Sequence, residues 1–408
     1  MTSAQDVVFV LSTVLAGGRW LALRNFGRLM RATVGGERVA PDRVPVSGGR
    51  GGREPPTVSV CVPARNEERV IGRLLESLCA QSWPNLEILV VDDHSTDGTA
   101  RIIDECAAGD PRIVRVVPPP LPDGWLGKNH ALHVASERAT GDFLLFVDAD
   151  TVHHPRAVEV AVAAIGESEG ADVLVVLSGQ EVGSWAEKVV SPFFWSLVLP
   201  AIRVEAAEDP TRPDEAMGNG QFAMYRASAY RGIGGHAAVK DVVVEDVSLV
   251  RRMKHAGMRY RLVVGPAVTH TRMYRCFTEV WDGFSKNVAV VRPDHKPGDT
   301  AMTVLVITLV SFAELGPLFA FAAGSWCWIP GLLHLAALVW LRSAILRRMC
   351  CSPGVAWPGR PVTNPWAWAL LQPVGAVLGL AIFCNALRLQ WTRGASWKGR
   401  ALTASRPL

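Results

Sequence analysis

The chain has 408 residues, 49% of them hydrophobic, and carries a formal net charge of +4 at pH 7. So small a charge, without a basic run interleaved with aromatic residues, argues against a nucleic-acid partner. The eight cysteines lack metal-ligand spacing and include the adjacent pair Cys350 and Cys351, which argues against a zinc site or a disulfide framework.

Charge-poor segments towards the C-terminus predict membrane helices. Residues 301–324 contain one charge, Glu314, and at about 1.5 Å per residue they are long enough to cross about 30 Å of hydrocarbon. A second apolar segment follows directly, so residues 301–341 are predicted to form a transmembrane hairpin. Residues 366–387 are a third segment, which either spans or re-enters because Pro373 lies near its start.

The N-terminal residues 1–31 contain an apolar stretch and predict a membrane or interfacial helix. Arg24 and Arg28 follow the stretch and no basic residue precedes it, which argues against a signal peptide and places the next domain in the cytoplasm. The glycine-rich residues 32–56 predict a flexible linker. The basic tail, residues 388–408, would lie on the opposite side if the third segment spans once, so the number of crossings stays open.

Between the linker and the hairpin, residues 57–291 alternate strand and helix signals. Apolar β-branched runs predict strands over residues 58–62, 86–91, 113–117 and 143–147. Helical spacing predicts helices over residues 68–80, 96–107 and 128–139. This alternation predicts an α/β fold with a mostly parallel sheet and helices on both faces. Ligands of such sheets bind beyond the carboxyl ends of the strands.

Three of the four predicted strands end in polar residues, and these clusters would meet at one edge of the sheet. They are residues 63–67, 92–95 and 148–150. Any one of them could be a helix cap or a turn, but three at one edge predict a binding site. Asp148 and Asp150 stand at i and i+2 of an extended backbone, so both carboxylates can face one hard cation such as Mg²⁺ or Mn²⁺. Such an ion could neutralise a diphosphate leaving group.

Taken in order, the motifs resemble those of family 2 glycosyltransferases, which have the Rossmann-like GT-A fold, over about residues 57–291. The motifs are Pro63-Ala64-Arg65-Asn66-Glu67, Asp92-Asp93-His94-Ser95, Asp148-Ala149-Asp150 and Glu245-Asp246. The resemblance implies transfer of a sugar from a nucleotide diphosphate sugar, here a UDP-sugar. It implies that the donor contacts Pro63, Ala64, Asn66, Glu67, Asp92, Asp93, Lys128, Asp148, Gly220 and Gln221. It also implies a Mg²⁺ or Mn²⁺ ion held by Asp148, Asp150 and His270, although a lone histidine is as often structural.

The resemblance further implies that Asp246, beside Glu245, is the general base that deprotonates the acceptor and leads to inversion at the anomeric carbon. Helical spacing over residues 247–255 places both acids at a helix N-terminus, where partial positive charge keeps a carboxylate ionised. The alternative is a capping acid without a chemical role. Lys128 is expected to reach the diphosphate from a flexible loop, and a solvated lysine is the alternative.

The chain lacks the Gln-x-x-Arg-Trp motif of processive polysaccharide synthases, which favours transfer of a single sugar. Further segments are similar to bacterial carotenoid- and hopanoid-associated glycosyltransferases: residues 125–128, 219–222, 244–247, 283–287 and 397–400. This similarity implies a lipid or isoprenoid-derived acceptor and a multi-pass protein of a bacterial-type cell membrane, with a cytoplasmic catalytic domain. Two alternatives stay open: a synthase acting on a polysaccharide or a polyprenyl phosphate, and a non-catalytic nucleotide-sugar binding subunit. The sequence indicates neither the donor sugar nor a protein partner.

Overall fold

The computed structural model describes residues 4–33, 54–166, 170–290, 328–353, 359–392, 396–397 and 400–401. Its strands are β1 (Val58–Ala64), β2 (Leu86–Asp92), β3 (Ile113–Val116), β4 (Phe143–Phe146), β5 (Thr151–His153), β6 (Val173–Leu177), β7 (Gly179–Glu181), β8 (Ala223–Arg226), β9 (Tyr260–Val264), β10 (Thr269–Thr271), β11 (Cys350–Ser352), β12 (Arg360–Pro361), β13 (Ser396–Trp397) and β14 (Arg400–Ala401). Its α-helices are α1 (Ala4–Thr33), α2 (Ile71–Cys79), α3 (Thr99–Gly109), α4 (Gly127–Arg138), α5 (Ala157–Gly166), α6 (Trp185–Val198), α7 (Val204–Glu208), α8 (Ala227–Gly232), α9 (Glu245–His255), α10 (Phe277–Val290), α11 (Trp328–Arg348), α12 (Pro365–Leu370) and α13 (Gln372–Thr392).

A seven-stranded sheet with the strand order β3-β2-β1-β4-β8-β6-β9 forms the centre of the fold. β1 runs parallel to β2 and β4, β2 to β3, and β6 to β9. β8 is antiparallel to both of its neighbours, β4 and β6. The predicted α/β fold with a mostly parallel sheet is therefore confirmed, with β8 as the antiparallel strand that the sequence did not reveal.

Alternation along β1 divides the core into two layers, because successive side chains of a strand point to opposite faces. Val58, Val60 and Val62 belong to the apolar cluster under α2, α3 and α5. Cys61 belongs to the cluster on the other face, which includes residues of α4 and α9. Helices thus cover both faces, and the carboxyl ends of β1, β2 and β4 meet at one edge.

A second sheet of five short strands, in the order β12-β11-β7-β10-β5, adjoins that edge. β10 pairs antiparallel with β5, which begins directly after Asp150, and parallel with β7. β11 and β12, from the C-terminal part of the chain, extend the same sheet through β7. The chain therefore returns from the predicted membrane region to the edge that carries the acidic motif.

Two described helices of the predicted membrane region bury part of their surface against protein. α1 covers most of the predicted N-terminal membrane segment, residues 1–31, but buries Leu23, Phe26 and Leu29 in the protein core beside α11. α11 covers part of the predicted hairpin and buries Arg342, whose guanidinium lies 5.4 Å from the centroid of the Phe193 ring. Both helices are thus packed against protein, which the apolar composition alone could not show.

Among the described residues, one helical segment, Gln372–Leu389 of α13, is long and apolar enough by length and composition to cross a membrane. A prediction of several spanning helices is therefore not supported by this part of the chain. Residues 301–327 of the predicted hairpin, residues 34–53 of the predicted linker and most of the predicted basic tail lie outside the described residues. α13 runs to Thr392 and so includes the start of that tail.

A buried lysine fixes the C-terminal end of α9. Lys254 is 4% exposed, and its ammonium donates to the carbonyl oxygens of Ala207, Asp209 and Arg212 at 2.5, 2.9 and 2.9 Å. Burial lowers the pKa of this ammonium, but the three carbonyl acceptors replace its water shell. α9 is thereby tied to the segment that follows α7.

We expect Lys254→Met to destabilise the protein by about 3 kcal/mol, because methionine fills the space but leaves the buried carbonyls without a donor. Thermal unfolding in detergent measures the loss. Lys240→Met, at an exposed lysine, is the matched control and should leave the unfolding midpoint unchanged. Equal midpoints for the two variants would show that the Lys254 contacts contribute nothing.

Candidate active site

The two acidic motifs meet around one lysine. Lys128 lies in the first turn of α4, Asp148 follows β4, and Glu245 is the first residue of α9. The Lys128 ammonium lies 2.8 Å from Asp148 Oδ1 and 2.8 Å from Glu245 Oε1. The structure therefore brings together three residues that are far apart in the sequence.

The side chain of Asn129 explains why α4 and α9 begin at the same place. Asn129 is 1% exposed, and its amide donates to the carbonyl oxygens of Val239 and Val242, each at 2.8 Å. The N–H of Leu126 donates to the carbonyl oxygen of Lys240 at 2.9 Å. The start of α4 is thus fixed to the segment that leads into α9.

Charge balance in this cluster depends on Lys128. Burial by itself would lower the pKa of the ammonium, but the carboxylates of Asp148, Glu245 and Asp246 outweigh burial and hold the pKa well above its usual value. Burial raises the pKa of Glu245, which is 5% exposed, and Lys128 opposes that rise. Lys128 is therefore charged and compensates an otherwise acidic pocket.

Asp246 lies at the N-terminus of α9, and backbone donors hold it there. Its Oδ1 accepts from the N–H of Val247 at 2.8 Å and its Oδ2 from the N–H of Gly220 at 3.0 Å. Gly218 permits this approach, because a Cβ atom there would lie 2.2 Å from the carbonyl carbon of Asp246. The loop of residues 218–221 thus packs directly on the predicted base.

Asp150 lies in an electrostatic environment that suits a cation. Burial and the carboxylates of Asp148 and Glu67 raise the pKa of Asp150 to about 7. Its Oδ1 is buried and has no hydrogen-bond partner within the described part of the chain. An unsatisfied carboxylate oxygen beside a second carboxylate fits a hard divalent cation, so Asp148 and Asp150 fit a Mg²⁺ or Mn²⁺ ion.

His270 belongs to β10 in the second sheet, where it pairs with Val152 of β5 and Gly179 of β7. Burial lowers the pKa of His270 to about 4, with Glu181 opposing the shift, so the imidazole is neutral. Across the ranges that the structure describes, no group of three or more His, Cys, Asp or Glu side chains is gathered as a metal site. The role of His270 as a metal ligand therefore stays a prediction.

The loops after β1 and β2 form a second polar group at the same edge. Asn66 Oδ1 accepts from the N–H of Thr96 at 2.8 Å, and Asp92 Oδ1 accepts from the N–H of Ser95 at 3.1 Å. Asp93 is 5% exposed, and the Arg65 guanidinium donates to its carbonyl oxygen at 2.5 Å. These contacts make the two loops one rigid unit.

The remaining predicted donor residues take separate places at this edge. Pro63 and Ala64 end β1, and the N–H of Glu67 donates to Thr99 at 2.7 Å. Gln221 lies in the loop before β8, and its N–H donates to Asn219 Oδ1 at 3.4 Å. A contact between any of them and a donor stays a prediction.

A small pocket joins the acidic cluster to the interior. Its lining includes Lys128, Leu132, Phe146, Asp148, Gly220, Ala223, Tyr225, His236, Glu245 and Asp246. The sequence did not single out Tyr225 or His236, although the Gly234-Gly235 pair before His236 was a signal for a tight turn. Both glycines have positive φ, at 85° and 50°.

Comparison with known proteins assigns the part of the site that precedes Glu245 and Asp246. Residues 59–234 match the model of the family described as glycosyl transferase family 2. The chain carries a family 2 glycosyltransferase domain. The glycosyltransferase domain includes the β1 and β2 loops, Lys128 and the Asp148-Ala149-Asp150 motif within the matched residues.

Relatives of the glycosyltransferase domain include two proteins named 4,4'-diaponeurosporenoate glycosyltransferase. The one from Staphylococcus haemolyticus is 25% identical over 270 residues, which is 65% of this chain and 70% of that protein. The one from Staphylococcus aureus is 27% identical over 255 residues, which is 62% of this chain and 65% of that protein. The chain thus matches about two thirds of the length of these relatives.

Solved structures resemble the chain at lower identity. The mannosyltransferase PcManGT from Pyrobaculum calidifontis, in complex with GDP-Man and Mn²⁺, aligns over 94% of this chain and 99% of its own at 18% identity, with a TM-score of 0.48. S. aureus TarS 1–349 in complex with UDP-GlcNAc aligns over 82% of this chain and 92% of its own at 16% identity, with a TM-score of 0.39. We draw no functional conclusion from likenesses at this level.

We expect Gly218→Ala to lower sugar transfer by about 100-fold, because its Cβ would displace the Asp246 backbone and small displacements in an active site have effects of that size. Gly109→Ala, where nothing lies within 4 Å of the added Cβ, is the matched control. Transfer rates and unfolding midpoints are measured for both variants. Full activity of Gly218→Ala would show that the glycine loop does not position Asp246.

Proposed function

We propose that this chain is an inverting glycosyltransferase with the GT-A fold that moves one sugar from a nucleotide diphosphate sugar, a UDP-sugar, to a lipid or isoprenoid-derived acceptor. The observation that carries the proposal is the convergence of Lys128, Asp148, Glu245 and Asp246 on one pocket. Such an arrangement supplies a cation for a diphosphate and a carboxylate base on the same side of a cavity.

Asp246 is the proposed general base. Its two backbone hydrogen bonds stabilise the carboxylate and fix its position, and the carboxylate oxygens keep lone pairs for an acceptor proton. Asp246 takes the hydroxyl proton while the acceptor oxygen bonds to the anomeric carbon from the face opposite the diphosphate. The bond from that carbon to the diphosphate breaks, so the configuration inverts.

Lys128 and the Asp148-Ala149-Asp150 motif are proposed to bind the diphosphate. The Lys128 side chain is 37% exposed and lines the pocket, so its ammonium is proposed to bind a phosphate as well as Asp148 and Glu245. Asp148 and Asp150 would hold Mg²⁺ or Mn²⁺, which supplies positive charge to the leaving diphosphate when bound. The loop unit of Asn66 and Asp92 is proposed to contact the nucleoside.

The acceptor is proposed from the relatives and from the surface of the C-terminal helices. Both relatives are named for 4,4'-diaponeurosporenoate, a carotenoid acid. Large apolar side chains are exposed along α12 and α13, including Trp366, Leu370 and Val377 at 44%, 64% and 53%. This surface supports a membrane-bound enzyme that takes its acceptor from the bilayer. The proposed location is a bacterial cell membrane, with the domain on the cytoplasmic side.

The proposal is tested with membranes that contain the full chain, incubated with a panel of radiolabelled nucleotide sugars and Mn²⁺ or Mg²⁺. Label in the lipid fraction would support it and identify the donor. Label in a water-soluble polymer would favour a polysaccharide synthase instead, and label on polyprenyl phosphate would favour a synthase of that carrier lipid. Binding of UDP without transfer from any donor would favour a non-catalytic subunit.

We expect Asp246→Asn to lower transfer to a hydroxyl acceptor by at least about 100-fold, because the amide cannot accept the proton. Affinity for the donor should stay within about threefold of wild type, since the amide preserves the shape of the side chain. Asp214→Asn, at a side chain that is 79% exposed, is the matched control. A rate for Asp246→Asn close to that of the control would exclude Asp246 as the base.

Asp150 predicts a pH-dependent stability in the presence of a chelator. Its pKa of about 7 in the folded protein lies above the value of about 3.9 in an unfolded chain. The contribution of this carboxyl group to the free energy of unfolding is therefore complete below about pH 4 and is lost as pH rises through about 7. An asparagine side chain does not ionise, so it does not lose stability in this pH range. Asp150→Asn should therefore have a higher Tm than wild type at pH 8, with the difference vanishing near pH 4.

Addition of Mn²⁺ at pH 8 should raise the Tm of the wild type more than that of Asp150→Asn, because the ion binds the ionised carboxylate. The measurement needs no turnover and is therefore independent of the donor and the acceptor. Parallel pH profiles for the two proteins, and equal Tm shifts with Mn²⁺, would rule out the proposed cation site.

A further inference from the structure

The inner wall of the pocket carries two polar groups that the mechanism does not use. Tyr225 of β8 is 2% exposed and His236 is 3% exposed, and both line the pocket together with Asp246. Within the described residues, neither the Tyr225 hydroxyl nor His236 Nε2 has a hydrogen-bond partner in the protein. Polar groups this deeply buried ordinarily have partners, so both atoms are available to a group that enters the pocket.

The His236 ring is held in place from behind. Its Nδ1 lies 2.6 Å from the Tyr230 hydroxyl, which also accepts from the His236 backbone N–H at 2.9 Å. Gly235 permits this contact, because a Cβ there would lie 2.6 Å from the Tyr230 ring. The ring of Phe146 packs edge-to-face on the imidazole with 4.8 Å between centroids. Nε2 is therefore the ring nitrogen left for a ligand.

The hydrogen-bond lengths favour one tautomer of His236. The Tyr230 hydroxyl has two possible acceptors, His236 Nδ1 at 2.6 Å and Ser136 Oγ at 3.3 Å. We assign its proton to the shorter contact, which makes Nδ1 the acceptor and Nε2 the N–H donor. Burial, reinforced by the positive charge of Lys128, lowers the pKa of His236 to about 3, so the ring is a neutral donor.

Tyr225 is also neutral and lies beside the catalytic carboxylates. Burial and the charges of Asp246 and Glu245 hold the pKa of the Tyr225 hydroxyl well above its usual value. The hydroxyl can both donate and accept. Apolar side chains of Leu132, Phe146 and Ala223 make up the rest of this wall.

A wall of two neutral hydrogen-bonding groups set among apolar side chains suits a sugar ring, whose hydroxyl oxygens accept hydrogen bonds and whose C–H faces are apolar. It does not suit a diphosphate, which needs positive charge, or a long apolar chain, which leaves both polar groups unpaired. We propose that Tyr225 and His236 bind hydroxyl groups of the transferred sugar and determine which sugar the domain accepts. This inference rests on the proposed function.

The test measures equilibrium binding to the full chain in detergent with UDP-glucose, UDP-GlcNAc and GDP-mannose, followed by monodeoxy analogues of whichever binds most tightly. The variants are Tyr225→Phe, which removes only the hydroxyl, and the matched pair His236→Leu and His236→Gln, of which glutamine keeps an N–H at the position of Nε2. The parent nucleoside diphosphate without sugar is the internal control.

We expect the wild type to bind one monodeoxy analogue about 3- to 10-fold more weakly than the parent sugar nucleotide, the range for one neutral hydrogen bond. Tyr225→Phe or His236→Leu should bind the parent more weakly by the same factor and show no further loss with that analogue. His236→Gln should recover most of the loss. Affinity for the nucleoside diphosphate should be unchanged in every variant.

Two results would overturn the inference but not the proposed function. In the first, the variants discriminate among the deoxy analogues as the wild type does. In the second, the variants lose as much affinity for the nucleoside diphosphate as for the nucleotide sugar, which indicates a structural role. Failure of the wild type to bind any of the three nucleotide sugars would overturn the proposed function and the inference with it. The failures of the two proposals are therefore distinguishable.

Discussion

The ammonium of Lys128 is the interaction on which the site depends. Asp148, Glu245 and Asp246 place three carboxylates around one pocket, and their mutual repulsion in a partly buried setting would be costly without a cation. Lys128 meets two of them at 2.8 Å and so allows the edge of the sheet and the N-terminus of α9 to pack together. A divalent ion beside Asp150 would leave this ammonium freer to bind a phosphate. Under the proposed function, Lys128 would exchange one of these carboxylates for a phosphate of the donor.

The sequence predicts the parts of the site that follow from topology. Parallel strands end at one edge, so polar residues after β1, β2 and β4 had to meet there, and helical spacing placed Glu245 and Asp246 at the start of α9. Tyr225 and His236 could not be predicted in the same way. One is an ordinary strand residue and the other follows a turn, and their meeting depends on the antiparallel strand β8 and on Tyr230.

The helices outside the sheet show that amino-acid composition does not predict whether an apolar helix packs on lipid or on protein. An apolar helix can bury its surface in lipid or in protein, and the sequence pattern of either choice is much the same. α1 and α11 pack on protein over their described buried residues, and α11 even accommodates Arg342. All three helices also expose large apolar side chains, such as Trp20 of α1, Leu332 of α11 and Val377 of α13, at 50%, 51% and 53%. The sequence pattern does not indicate which side of an apolar helix packs on protein.

Asn129 has a consequence for how such an enzyme could diversify. Because its amide fixes α4 to the segment before α9, Lys128 and the proposed base Asp246 are held in fixed relative positions. A change that shifts α4 would therefore also shift Asp246. Side-chain substitutions at Tyr225 and His236 leave the Asn129 hydrogen bonds in place. Under the two proposals above, the accepted sugar could therefore change without a change in the reaction.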